Sequence, residues 1–312
     1  MRIGIHSNTG GSLERAALNA HQVGANTMQI FSASPRMWRA KLPDKLQVQL
    51  LNAAREKHDL TPLVVHTNYL INLAAPPSQT RENSIKAFGG ELERAIIIGA
   101  QYLVVHPGNY KGLTLEQGML NVAEALSIAW RSVEDALKTR PKLSVLLEST
   151  AGAGAQLGGD FSELAIIQKL VSHYLDIPVA YCLDTCHCHV YGFDLATEAG
   201  FDKLLSTARE TLGLENIPVI HTNDAKAPCQ SHLDRHANIG AGYIGLEGFR
   251  RILNHPDLRE KAFILETPDE KEGGHLRDVA TLKELVSPKK SLTPKKSSRA
   301  GTSAGRKTRR ST

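Results

Sequence analysis

Val145-Leu-Leu-Glu148 is a strand-length apolar run that ends in a carboxylate, and it has seven counterparts along the chain. These are Ile3–Ile5 then His6, Thr27–Phe31, Leu63–Val65 then His66, and Leu103–Val105 then His106. The series continues with Val179–Leu183 then Asp184, Val219–Ile220 then His221, and Phe263–Leu265 then Glu266. Only Thr27–Phe31 lacks a metal-binding residue at its C-terminal end. The segments between the runs read as helices. Over 81–98, Ile85, Phe88, Leu92 and Ile96 recur at three- or four-residue spacing and Gly99 follows; 116–137, 162–175 and 201–212 repeat the pattern. Such alternation means parallel strands joined by crossover helices, and eight units predict a (β/α)8 TIM barrel. In that fold the C-terminal strand ends carry the chemistry. A doubly wound sheet is the rival, but it carries a Gly-rich phosphate loop after its first strand. His6-Ser-Asn-Thr-Gly-Gly is not that loop.

The formal net charge of +5 is unevenly distributed. Nine of the 37 Lys and Arg lie in 288–312, which leaves 28 against 32 Asp and Glu, a net −4 for residues 1–287. Two parts are therefore expected: a barrel domain over 1–287 and a basic tail over 288–312. The tail is rich in Ser, Thr, Gly and Pro and has one large aliphatic residue, Leu292. It cannot bury enough apolar surface to offset its ordering entropy, so disorder is expected. It reads either as an electrostatic arm for a nucleic-acid backbone or as an inert solvated extension. No apolar stretch is long enough for a membrane span, and the N-terminus has no signal-peptide pattern. The four cysteines, Cys182, Cys186, Cys188 and Cys229, do not have a usual zinc spacing. Reduced thiols in a cytoplasmic protein are the expectation.

His66, His106, Glu148, Asp184, His221 and Glu266 would point into one bowl at the barrel mouth. His187, three residues after Asp184, and the pair Asp234 and His236 lie in loops just beyond. A single strand-end His is more often a hydrogen-bonded structural group than a ligand, but repetition at one structural position weakens that explanation. Nine candidate ligands exceed what one four- to six-coordinate ion uses. They suit two or three ions with at least one bridging carboxylate. Paired metals activate a water and stabilise charge on phosphoryl oxygens, so phosphate-ester hydrolysis is the natural chemistry. Aldose isomerisation or epimerisation on a similar barrel is the competing one. A DNA-binding protein that has lost catalysis is a third reading, disfavoured by the full ligand set.

The motifs His66-Thr-Asn-Tyr69-Leu-Ile-Asn-Leu, His106-Pro-Gly, Leu147-Glu148-Ser-Thr-Ala-Gly and Leu183-Asp184-Thr-Cys-His187 resemble those of the endonuclease IV family. So do His221-Thr-Asn-Asp-Ala-Lys226, Asp234-Arg-His236-x2-Ile-Gly-x-Gly-x-Ile-Gly and Leu265-Glu266-Thr-Pro-Asp269. The resemblance runs from Arg2 to about Val286. It implies a zinc-dependent apurinic/apyrimidinic (AP) endonuclease of base excision repair with three zinc ions per chain, manganese being an alternative at one site. By resemblance, His66, His106 and Glu148 would hold the first ion. Glu148, Asp184, His221 and Glu266 would hold the second, and His187, Asp234 and His236 the third. Glu148 and Glu266 would be the catalytic carboxylates. The implied reaction is hydrolysis of the phosphodiester 5′ to an abasic site by a bridging hydroxide, leaving a 3′-hydroxyl and a 5′-deoxyribose phosphate, with clearing of blocked 3′ ends alongside. Arg36, Tyr69 and Leu70 match residues that wedge into the duplex, and Arg235 matches a DNA contact. Double-stranded DNA is the implied partner, a monomer the implied state, and the nucleoid the implied place of action.

Three departures from the family pattern stand out. The loop after His6 looks one residue short, His232 stands where a basic residue is usual, and Cys188–Asp194 replaces a smaller Ala-rich loop. Cys186, Cys188 and His189 crowd the third group and are expected not to be ligands.

Overall fold

The computed structural model describes residues 1–134, 138, 143–269 and 273–286. Eight parallel strands form the wall: β1 (Arg2–His6), β2 (Thr27–Phe31), β3 (Leu63–His66), β4 (Tyr102–Val105), β5 (Ser144–Glu148), β6 (Val179–Asp184), β7 (Val219–His221) and β10 (Ala262–Leu265). The order β1-β10-β7-β6-β5-β4-β3-β2 is closed because β1 pairs with both β10 and β2. This is the TIM barrel that the alternation predicts. Two short strands, β8 (Asp224–Ala225) and β9 (His236–Ala237), form an antiparallel ribbon above the mouth.

The helices are α1 (Leu13–Gln22), α2 (Lys45–Lys57), α3 (Gln79–Ile98), α4 (Leu115–Arg131), α5 (Phe161–Tyr174), α6 (Thr185–Tyr191), α7 (Glu198–Thr211), α8 (Gly245–Asn254) and α9 (Gly274–Leu285). Their ends differ from the periodic stretches where a cap decides. Helix α3 begins earlier than the apolar pattern because Ser78 accepts a hydrogen bond from the Arg81 backbone. It stops at Gly99, whose φ of +73° is a left-handed conformation that glycine adopts without strain. Helix α4 opens with a reciprocal capping box between Thr114 and Gln117. Residues 135–137 of the expected 116–137 helix lie outside the described residues, as does the expected tail 288–312.

Side chains in a strand alternate between two faces. Val145 and Leu147 pack outward against the helices, while Leu146 packs inside the barrel with Val64, Val104, Cys182, Val219, Ala262 and Ile264. That interior layer is a packed core and seals the barrel beneath the mouth. Gly4 sits on the inner face of β1, where a Cβ would meet the Thr27 carbonyl oxygen at 2.1 Å. Only glycine fits that close approach of β1 to β2.

Candidate metal centre

The inner alternation carries straight into the site. His66, His106, Glu148, Asp184, His221 and Glu266 each lie two residues beyond an inward-packed core residue: Val64, Val104, Leu146, Cys182, Val219 and Ile264. Period-two geometry therefore turns all six side chains to the barrel axis. Glu148 is fully buried and sits between two groups of imidazoles. Its Oε2 lies 3.0 Å from His66 Nε2 and 2.9 Å from His106 Nε2. Its Oε1 lies 2.8 Å from His221 Nδ1. His221 Nδ1 is also 3.4 Å from Glu266 Oε2.

A further group forms where β6 passes directly into α6. Asp184 ends the strand and caps the helix, accepting from the His187 backbone at 2.9 Å. One helical turn then carries His187 over the bowl. His187 Nδ1 donates to the Ser149 carbonyl at 2.7 Å, which leaves Nε2 facing Asp234 Oδ2 at 3.1 Å. His236 Nε2 lies 3.2 Å from Asp234 Oδ1 and is buried without a hydrogen-bond partner. A buried imidazole nitrogen and a carboxylate oxygen at that range without hydrogen-bond geometry lie where two donors to one cation would lie.

The donor atoms gather into three groups: His66, His106 and Glu148; Glu148, Asp184, His221 and Glu266; and His187, Asp234 and His236. Within each group they lie within 4.8 Å of one another. Imidazole nitrogen with carboxylate oxygen is a donor set that suits zinc, so these residues fit the metal. All nine residues singled out in the sequence are brought together. Cys186 also comes within reach, beside Asp184 and His236. Burial pushes its thiol well above the ordinary range, and its Sγ donates to the Arg235 carbonyl. A neutral thiol is a poor ligand. Cys188 lies beside Ser149 Oγ at 3.6 Å and joins none of the groups among the described residues.

The electrostatics agree with a cation site. Burial opposes ionisation of Glu148, but the His106 and His221 imidazoles outweigh it and hold the carboxyl well below the usual range. Burial would lower the His221 pKa, yet Cys182, Glu266 and Glu148 raise it well above the ordinary value. In His236, burial is outweighed by Asp184 and Asp234, which raise the pKa to about 9. The carboxylates keep protons on His221 and His236 unless a metal replaces them.

Sequence reasoning passed over the barrel strand that lacked a ligand ending. Gln29 sits on the inner face of β2, fully buried. Its Oε1 accepts from His221 Nε2 at 2.8 Å, and its Nε2 donates to Glu266 Oε1. The bond fixes the His221 tautomer so that the Nδ1 lone pair faces the metal position. The signal was a lone amide inside the otherwise apolar-patterned run Thr27-Met-Gln-Ile-Phe31. His6, noted as a strand ending but left out of the ligand set, lies 3.1 Å from Glu266 Oε1 through Nδ1. Asn223 holds both Asp184 Oδ2 and the Glu266 backbone, at 2.6 and 2.7 Å. We expect Gln29→Ala to weaken zinc binding about 10- to 100-fold at the His221 position. Competition with a chromophoric chelator measures this, and unchanged affinity would remove the role assigned to Gln29.

A cleft of about 1120 Å³ opens over the centre. Arg36, Tyr69, Lys226 and Arg235 stand on its wall with the metal-site residues. Leu70 is half-buried and is not among the wall residues. Tyr69 is 71% exposed, its ring edge-on to Phe31 at 5.2 Å. His232 turns away to bond the Ala151 carbonyl at 2.7 Å and meets the Tyr191 ring edge-on. No helix among the described residues is long and apolar enough to cross a membrane.

Residues 17–285 match the xylose isomerase-like TIM barrel family. A relative from Solibacter usitatus (strain Ellin6076), called probable endonuclease 4, is 54% identical over 289 residues, 93% of this chain and 98% of the relative. The chain belongs to the endonuclease IV family. As such it is a hydrolase. Endonuclease IV from Thermus thermophilus has a solved structure that matches with a TM-score of 0.79 at 33% identity, over 92% of this chain and 100% of that one. A D-tagatose 3-epimerase-like protein matches at 17% identity with a TM-score of 0.67, over 91% and 97%. That second likeness is one of fold alone. Endonuclease IV relatives thus share sequence as well as barrel with this chain, whereas the epimerase-like protein shares the barrel.

Proposed function

We propose that this member of the endonuclease IV family cuts duplex DNA on the 5′ side of abasic sites. The products would be a 3′-hydroxyl and a 5′-deoxyribose phosphate, and the same centre would clear blocked 3′ ends. The observation that carries this reading is Glu148, whose two oxygens face separate imidazole groups as a bridging ligand would. Zinc would be held by the three groups described above. When bound, the ions would supply activation of a water near neutral pH and positive charge for the phosphoryl and leaving oxygens.

The chain's own residues do the rest. Arg36, Lys226 and Arg235 offer positive charge to the phosphates along the cleft wall. Tyr69, with Leu70 behind it, would fill the gap left in the base stack. An abasic nucleotide has already lost its stacking, so turning it out of the helix costs less than for an intact one. Glu148 and Glu266 would orient the reacting centre from below. A sugar epimerase would use one or two ions, and has no need of His187, Asp234 and His236 as a separate group.

The test is cleavage of a duplex carrying one abasic analogue by fully metallated protein, beside turnover of a ketose. A single 5′ cut without ketose turnover supports the reading. Ketose turnover without a cut would replace it with the isomerase reading.

The nine positive charges of 288–312 are proposed to raise affinity for undamaged DNA. A chain ending at Val286 should then show a shallower salt dependence of DNA binding, by up to about eight logarithmic units of slope at roughly 0.9 per phosphate neutralised. An unchanged slope would show the tail to be inert.

A further inference from the structure

The loops that carry Arg36 and Tyr69 leave adjacent strands, β2 and β3, and both return to one buried carboxylate. Glu91 lies on α3 and is 2% exposed. Its Oε2 accepts from Ser32 Oγ, at the start of the loop that leads to Arg36. Its Oε1 accepts from Asn68 Nδ2 at 3.2 Å, in the loop that bears Tyr69 and Leu70. Arg94, one turn on and 5% exposed, pairs with Glu91 Oε2 at 3.0 Å. Its Nε donates to Ser32 Oγ at 2.7 Å.

The ring closes at the exposed end. Asn68 Oδ1 accepts from the Leu70 backbone at 2.9 Å, which fixes the turn at the loop tip. The Tyr69 backbone donates to the Pro35 carbonyl at 3.3 Å, beside Arg36. Ser32, Glu91, Asn68, Tyr69 and Pro35 therefore form a continuous circuit between the two loops.

A stabilising role alone does not account for this arrangement. Burying an ion pair costs desolvation that often exceeds the Coulombic gain, and apolar residues of like volume would stabilise α3 as well. What the carboxylate adds is two acceptors aimed at two separate chain segments. We propose that the Glu91–Arg94 pair is a positioning device that locks the Arg36 and Tyr69–Leu70 loops into one rigid wedge for the abasic duplex. This inference rests on the DNA-cleavage reading above. Among the described residues the pair belongs to none of the metal-donor groups and does not line the cleft, so it acts on docking of the duplex rather than on bond breaking.

The experiment uses the zinc-loaded full chain and two substrates, an abasic duplex and a small chromogenic phosphodiester that has no duplex to wedge. For Glu91→Gln, KM for the duplex should rise about tenfold, a coupling size usual for groups sharing one network. Duplex kcat and small-diester turnover should stay within about twofold, the spread of independent sites. In a Tyr69→Ala background the same substitution should add less than about twofold, because the wedge is already lost. Ser32→Ala leaves the ion pair intact and severs one arm; it serves if Glu91→Gln fails to fold, and a smaller KM rise of the same kind is expected.

Equal KM increases with and without Tyr69 would overturn the proposal, as would an unchanged KM in folded Glu91→Gln or Ser32→Ala. A parallel loss on the small diester would show general distortion and overturn it too. Failure of the unsubstituted protein to cut the abasic duplex is a different result, and it would remove the underlying reading.

Discussion

Glu148→Gln is expected to lower cleavage of an abasic duplex by at least about 10³-fold, the kinetic equivalent of several kcal/mol of metal-ion stabilisation. The carboxylate is fully buried and has one oxygen on each side of the site. An amide keeps the shape but offers only one good acceptor, and its NH2 group would face an imidazole or a cation. Both donor groups that share Glu148 would therefore be weakened together. Metal analysis should find a loss of more than one equivalent. Cleavage within about tenfold of the unsubstituted protein would mean that Glu148 does not bridge. Loss of activity at full metal content would assign it a role other than ligation. Cys188→Ala makes the useful contrast, since its Sγ stands outside the ligand groups; it should keep the metal content of the parent.

Removing the metals with a chelator should abolish turnover, and the pH dependence of reloading should be steep. The sign follows from the imidazoles. Burial would lower the pKa of His236, but Asp184 and Asp234 raise it to about 9, above the ordinary 6.5. His187 and His221 are likewise raised well above that value against the effect of burial. Below about pH 9 zinc at the third group must displace a proton from His236, so its apparent affinity should rise with pH across the neutral range. One displaced proton corresponds to about tenfold per pH unit, hence about 100-fold between pH 6 and pH 8 for that position. Calorimetry in buffers of different ionisation enthalpy would count the protons released. A flat affinity over that interval would contradict these assignments.

The chelated protein should show the opposite trend in stability. A pKa raised in the folded state contributes stability that is present below about 6.5 and lost as pH rises through about 9. Thermal unfolding of the chelated protein should therefore move to lower temperature over that window. Zinc should reverse the trend, since it binds the deprotonated rings of the folded chain.

The barrel was legible because two periods are written into the residues. Apolar runs of strand length alternate with three- to four-residue spacing, and residues able to bind a metal recur at one place in seven of the eight units. The six strand-end candidates followed from that placement. His187, Asp234 and His236 were found by motif, and their grouping came from resemblance. Gln29 escaped because an amide in a strand has no spacing signature; its importance lies in reaching His221, which is far away in sequence. Glu91 escaped for the same reason, since a helical Glu-x-x-Arg pair reads as an ordinary exposed pair until its burial is known.

The sequence alone thus determined the order of the eight barrel strands, the closed parallel sheet and the nine candidate ligands. These depend on local periodicity and on residue types, which are one-dimensional properties. The tertiary structure decided which oxygen of Glu148 faces which imidazole, that Gln29 meets His221 Nε2, and that Glu91 ties two loops together. Those facts depend on side-chain direction and on contacts across dozens to hundreds of residues, which exist only after the barrel has closed.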